Sequence, residues 1–278
     1  MNVFFVCGAP KSGTTWLQRI LDAHPQVCCS GEGHFVKRFT APVAKVMNAY
    51  NAGLAMEARA VYEGRPYYSL VSQAEFDEIA RGFILARLRA RAGAETRWVG
   101  DKTPTYTRDL DLLHRLFPTA RIFHILRDPR EVAVSRMAHS HRAGVTDALT
   151  PGAEQYRRTV DGAIRYWTEA VRAVDAFSQA HPGLVHEVRY RDLHADPVGE
   201  TQKVFGFLGA ANDGILIQQI AAATSFEAMA GRPAGQEDLS SFLRRGAPGG
   251  WEARLDAHSA QAIAESCGDL MREKRFVA

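Results

Sequence analysis

Long apolar runs are missing from this chain. None approaches the ~20 residues a bilayer-spanning helix needs, so no helical membrane segment is expected. Cysteine is scarce: Cys7, Cys28, Cys29 and Cys267 show neither C-x-x-C spacing nor a metal-ligand pattern, and the adjacent pair is poorly placed to bridge itself. That excludes a disulfide framework, gives no reason to expect a metal, and predicts a reduced chain in the cytoplasm. An apolar run begins almost at Met1, leaving no room for a signal peptide in this sequence. Net charge is weak, +3, too small to argue for a nucleic-acid partner. Internal repeats and low-complexity tracts are absent too.

What is present is an ordinary globular composition, 46% hydrophobic and 23% charged, with residues 1–278 read as one domain able to bury a sizeable core. Apolar strands alternate with helical segments, the pattern of an α/β fold with a central parallel sheet flanked by helices. Strands are expected at Phe4–Cys7, Trp98–Gly100, Arg121–Leu126 and Leu184–Tyr190. Helices are expected over Thr14–Ala23, after the capping box Ser72-Gln73-Ala74-Glu75, over Pro197–Leu208 and over Ala257–Met271. Tyr156, Val160, Ile164, Trp167, Val171, Val174 and Phe177 recur every three or four residues and mark a long amphipathic helix. After Leu126, Asp128 suits an N-cap, Pro129 the first helical position and Glu131 the reciprocal cap. Residues 230–250 lack periodicity and read as a long functional loop.

Gly8-x-x-x-x-Gly13 joins the first strand to the first helix, where free backbone N–H groups favour an anion. The frame is that of a P-loop, but Thr14 and Thr15 follow Gly13 where a Walker lysine would stand; the loop's lysine is Lys11. The string from Pro10 to Trp16, PKSGTTW, resembles the 5′-phosphosulfate loop of sulfotransferases that use 3′-phosphoadenosine 5′-phosphosulfate (PAPS). Three later segments resemble the same family in the same order. In Arg127-Asp128-Pro129-Arg130-Glu131-Val132-Ala133-Val134-Ser135, the resemblance gives Arg127 and Ser135 to the 3′-phosphate, a role a bidentate guanidinium fits. Thr224-Ser225-Phe226-Glu227-Ala228-Met229 is similar to the adenine-pocket signature. It implies that Thr224, Phe226, Tyr190 and Trp16 surround the purine. Phe242-Leu243-Arg244-Arg245-Gly246, continuing to Trp251, looks like the late loop that closes over the 3′-phosphate. The implied cofactor-binding set is thus Lys11, Ser12, Gly13, Thr14, Thr15, Trp16, Arg127, Ser135, Tyr190, Thr224, Phe226, Phe242, Leu243, Arg244, Arg245 and Gly246.

On the acceptor side, Pro104 occupies the place where cytosolic small-molecule sulfotransferases carry a catalytic histidine, and proline cannot accept a proton. His24-Pro25-Gln26-Val27, followed by Glu32, resembles tyrosylprotein sulfotransferases instead, which implies Glu32 as the catalytic base with His34 as its substitute. The resemblance also implies that Lys11 neutralises the leaving phosphate and Lys102 contacts the transferring sulfonate. A partly desolvated site is expected to raise the Glu32 pKa. The implied function is in-line transfer of a sulfuryl group from PAPS to a hydroxyl acceptor, releasing 3′,5′-ADP (PAP), without a metal. A small-molecule alcohol is expected as acceptor and a peptide tyrosine stays open. Phe35, Phe39, Met47, Tyr50, Tyr62, Tyr67 and Tyr68 are expected to line its pocket. Two other readings remain at this point: an ATP-dependent small-molecule kinase and a non-catalytic nucleotide-binding protein.

Overall fold

Five strands form one fully parallel sheet in the order β2-β3-β1-β4-β5 in the computed structural model, which describes residues 1–277. They are β1 (Asn2–Cys7), β2 (Val27–Ser30), β3 (Trp98–Lys102), β4 (Arg121–Leu126) and β5 (Val185–Arg189). Period-two alternation along β1 explains why both faces are covered. Val3, Phe5 and Cys7 point to one face and Phe4 and Val6 to the other. The first face packs under α3 (Gln73–Arg89), α4 (Leu110–Leu116) and α6 (Glu154–Ala180), through Ile84, Leu113 and Phe177. The opposite face packs against α1 (Thr14–Asp22), α8 (Pro197–Leu208) and α9 (Gly214–Ala223), through Leu17, Phe205 and Ile217. A third cluster joins α5 (Pro129–Arg142), α6 and α11 (Ala257–Glu273) around Trp167. Among the described residues no helix is long and apolar enough to cross a membrane.

Local signals place most elements where the sequence puts them. Ser72 and Glu75 form the expected reciprocal box at the start of α3, and Gly209 ends α8 in the left-handed conformation. The long periodic segment is one 27-residue helix. Short or weakly patterned elements were not legible: β2, α2 (Ala41–Val61), α4, α7 (Tyr190–Ala195), α9 and α10 (Phe226–Ala230). Tyr190 begins α7 rather than ending β5.

The strand order reverses at β1, where the chain turns from β3 on one side to β4 on the other. In an open parallel sheet that switch opens a crevice beyond the carboxyl ends of the strands. The Gly8–Gly13 loop, Lys102, Arg127 and Tyr190 all leave strands at that edge.

Candidate active site

A cavity of about 820 Å³ occupies the crevice. At its base the β1–α1 loop places Lys11 and Gly13 in the left-handed region, at φ 82° and φ 104°. That is strained for a lysine, and strain of this kind is held in place only by its surroundings. No side chain caps α1, and its first turn has no acidic residue. Its leading N–H groups and dipole are therefore open to an anion. Ser12 Oγ is buried without a hydrogen-bond partner, a polar atom left for a ligand to satisfy. Burial, together with Arg142 and Arg136 nearby, lowers the Lys11 pKa to about 8. A cationic site that depresses its own lysine fits a polyanionic ligand.

One wall carries Arg127 and Ser135. Arg127 is only 8% exposed. Its guanidinium lies 4.1 Å above the Tyr190 ring, and its backbone carbonyl accepts from Trp167 Nε1 at 2.8 Å. Glu131 does not form the expected reciprocal cap. Asp128 caps alone, accepting from the Arg130 N–H at 2.8 Å, while Glu131 accepts from Arg127 Nε at 2.7 Å. The other Glu131 oxygen accepts from the Gly249 N–H. One carboxylate thus joins the wall to the long loop, and nothing in the local sequence signals that partnership.

That loop closes the cavity. Arg232 donates to the carbonyls of Leu243 and Arg244, Arg245 donates to Gly249 O at 2.6 Å, and Arg244 pairs with Glu237. Phe242, Leu243, Arg244, Arg245 and Gly246 all line the cavity. Gly246 has to be glycine: φ is 66°, and a Cβ there would sit 2.0 Å from the Phe226 ring.

Aromatic residues gather at one end. Trp16 meets Tyr190 edge-on at 5.5 Å, and its Nε1 donates to Thr224 O at 2.9 Å. Phe226 and Thr224 complete this end. Thr224 Oγ1 donates to Ile220 O at 2.8 Å, so toward a ligand the hydroxyl acts as an acceptor.

Opposite the loop, Glu32 sits between a lysine and a histidine. Lys102 Nζ donates to Oε1 at 2.6 Å and His34 Nε2 lies 3.1 Å from Oε2. Lys102 is buried behind Glu32, while Glu32 and His34 line the cavity. Partial burial works to raise the Glu32 pKa, but the Lys102 hydrogen bond and charge, with His34, outweigh it. The carboxyl sits below its ordinary value, the reverse of the expected direction. Asp101 at the end of β3 sets this geometry, accepting from the Gly33 N–H at 2.9 Å and Thr103 Oγ1 at 2.8 Å. Burial raises Asp101 to about 6 even though the Thr103 hydrogen bond opposes it.

Known proteins resemble this chain in sequence and in fold. The family model described as the sulfotransferase family matches residues 4–213. The chain belongs to that family. A putative protein-tyrosine sulfotransferase of Caenorhabditis briggsae is 26% identical over 74% of this chain and 65% of its own length. Nodulation protein NoeE of Sinorhizobium fredii is 28% identical over 77% of this chain and 51% of its own. The sulfotransferase-family chain thus spans less than two thirds of either relative. Mouse sulfotransferase SULT7A1, solved in complex with PAP, superposes with a TM-score of 0.60 at 19% identity. That match covers 98% of this chain and 85% of the mouse chain, and it shows the shared fold.

Of the catalytic and cofactor-binding residues assigned from sequence, all but Ser12 and Lys102 line the cavity of this sulfotransferase-family chain; those two sit buried beside it. The expected acceptor wall does not form. Phe35 is buried in the core and Phe39 stacks on Phe83 at 3.6 Å. Met47 packs against the core, and Tyr50, Tyr62, Tyr67 and Tyr68 are exposed. Aromatic content alone cannot separate a pocket wall from a helix surface. Pro104 lines the cavity, as do Arg136, His139 and Arg142 of α5, which the sequence did not single out. Their i, i+3 spacing would have revealed a shared helix face.

Gly13→Ala tests the loop. A Cβ there would lie 2.7 Å from the Tyr190 ring, at a φ that alanine rarely adopts. The variant is expected to lose about 1–3 kcal/mol of stability in chemical denaturation and to bind PAP more weakly, because Tyr190 must move. An unaltered denaturation midpoint would show that the loop relaxes around the new carbon.

Proposed function

We propose that this chain transfers a sulfuryl group from PAPS to a hydroxyl acceptor and releases PAP. The observation that carries this reading is convergence. Four sequence segments distributed from Gly8 to Gly246 meet around one cavity, with an anion-ready helix end, an aromatic end and a carboxylate held between a lysine and a histidine. Arg127, Ser135, Arg244 and Arg245 would hold the 3′-phosphate, Lys11 and the α1 N–H groups the 5′-phosphosulfate, and Trp16, Tyr190, Thr224 and Phe226 the purine. Ser12 would offer its orphaned hydroxyl to the same loop-bound anion.

The chemistry asked of the protein is positioning and charge stabilisation in an in-line displacement. As the S–O bond to the leaving phosphate breaks, charge builds on that oxygen, and Lys11 stands ready to meet it. Glu32 takes the acceptor proton. Its low pKa in the resting site reflects the Lys102 contact; when Lys102 turns toward an arriving anion, Glu32 loses its strongest stabilising partner and becomes the better base. The acceptor approaches from the side formed by Glu32, His34 and α5. Four free, buried thiols support a reducing compartment, with the cytoplasm as the proposed site of action.

PAP is expected to raise the thermal midpoint, with about 2.7 kcal/mol of stabilisation at a hundred times its Kd. ATP is expected to give a smaller rise, because it has no 3′-phosphate for Arg127 and the late loop. Thermal denaturation with each nucleotide measures this, and equal shifts would overturn the donor assignment in favour of an ATP-using enzyme.

A further inference from the structure

Four cations around the cavity lack the counter-charges that Arg127, Arg244 and Lys102 have. Arg127 pairs with Glu131, Arg244 with Glu237 and Lys102 with Glu32. Lys11, Arg136, Arg142 and Arg245 make no ion pair among the described residues, Arg245 donating only to a backbone carbonyl. Lys11 and Arg245 have a use in the reading above; Arg136 and Arg142 do not.

Both arginines are held in place without being neutralised. The Arg136 guanidinium packs 5.0 Å over the Tyr166 ring, and the charge it feels from Arg165 is another cation's. Its Nε is buried with no hydrogen-bond partner. Arg142 donates to His139 Nδ1 at 3.0 Å and lies 5.4 Å over the Phe242 ring of the closing loop. Lys11 lies 5.4 Å from the centre of that same ring. Arg142 therefore stands beside the reacting end of the site, marked by Lys11, and about 10 Å further along α5 than Ser135, at 1.5 Å per residue. One phosphate cannot occupy both positions. The charges facing this patch are Lys11, Lys102 and Glu32 from the strand edge, and Glu32 is already shared between Lys102 and His34. Burial and the surrounding cations hold His139 below its usual value, and in neither protonation state can an imidazole neutralise the arginines. Unpaired, partly desolvated guanidinium groups are costly to keep unless an anion arrives to use them.

We propose that Arg136 and Arg142 form an anion subsite for the acceptor, so that the hydroxyl sulfated by this protein lies on a molecule carrying a carboxylate or another fixed negative charge close to it. The inference rests on the sulfuryl-transfer reading and narrows its acceptor class. The anion can come from acidic residues beside a tyrosine in a peptide or from a small hydroxy acid, and the experiment separates these sources.

Calorimetric titration of the PAP-loaded protein tests it. The probes are a blocked peptide with tyrosine between two glutamates and 4-hydroxybenzoate, each beside its uncharged twin, the glutamine peptide and 4-hydroxybenzamide. The charged member of at least one pair is expected to bind about tenfold or more tightly, the value of one charge-assisted contact. Whichever pair shows the preference identifies the source. Arg136→Gln and Arg142→Gln should each remove most of that preference while leaving PAP affinity unchanged, and Arg142→Lys should restore most of it. If charged and uncharged twins bind alike, the subsite is overturned while PAP binding keeps the donor reading intact. The subsite is equally overturned if the glutamine variants weaken PAP instead, since the arginines then belong to the donor. Absence of PAP binding in the unmodified protein would strike the donor reading itself, whereas a charge preference surviving without PAP would leave the subsite standing.

Discussion

Glu32→Gln is expected to lower kcat by about 10²–10⁴, the usual worth of a general base, with PAP affinity nearly unaltered. Glutamine keeps the shape of the side chain and can still accept from Lys102 Nζ, which donates to Glu32 at 2.6 Å, so the loss isolates the proton acceptor. The pH profile gives an independent reading. A base works in its deprotonated form, so activity is present above its pKa and falls as pH drops through it. Although burial opposes the shift, Lys102 and His34 hold Glu32 below the ordinary carboxylate value. The acid limb of kcat/KM for the free enzyme should therefore lie below the usual carboxylate range. His34→Asn should have a smaller effect, because His34 meets the same carboxylate from its other side. An active Glu32→Gln with an inactive His34→Asn, and an acid limb in the imidazole range, would reverse the roles and leave Glu32 to orient the imidazole.

Lys11→Ala is expected to reduce kcat by on the order of 10²–10³, comparable to removing one preorganised donor from a site of developing charge. Folding should be little affected. The residue is partly exposed and already occupies a left-handed φ of 82°, so alanine inherits a strain the lysine bears now. If the charge acts chiefly on the leaving oxygen, the loss appears in kcat; a normal kcat with a raised donor KM would make Lys11 a binding residue. Because burial, Arg142 and Arg136 bring its pKa to about 8, the free protein loses this charge as pH rises through that value. Donor kcat/KM should fall on the alkaline side, and Lys11→Ala should lack that limb. A bound anion favours the protonated lysine, so PAP binding near pH 8 should take up protons. Calorimetry in buffers of different ionisation enthalpy measures the uptake, and its absence would place Lys11 away from the phosphates.

The sequence by itself determined what depends on near neighbours. Alternation along Val3–Cys7 set both faces of the central strand. The Gly8–Gly13 spacing specified a strand-to-helix turn with an uncapped helix end, and the 3.6-residue period specified α6. Family resemblance carried Arg127, Ser135, Tyr190 and the late loop into one site, because those motifs are read as strings whatever their separation. Tertiary structure decided which charge meets which. Glu32 and Lys102 are 70 residues apart, and Glu131 reaches Gly249 across 118, so no local pattern could announce either contact. Asp128 and Glu131 show the same limit at short range: both suited a helix cap, but the nearby Arg127 guanidinium claimed Glu131. The aromatic residues around Tyr50 suit a pocket wall by type and lie outside it, while Arg136 and Arg142, which no motif marks, line it. Side-chain type states what a residue can bond to; the packing of α5 and the closing loop against the sheet edge decides what stands within reach, and over such short distances reach settles the chemistry.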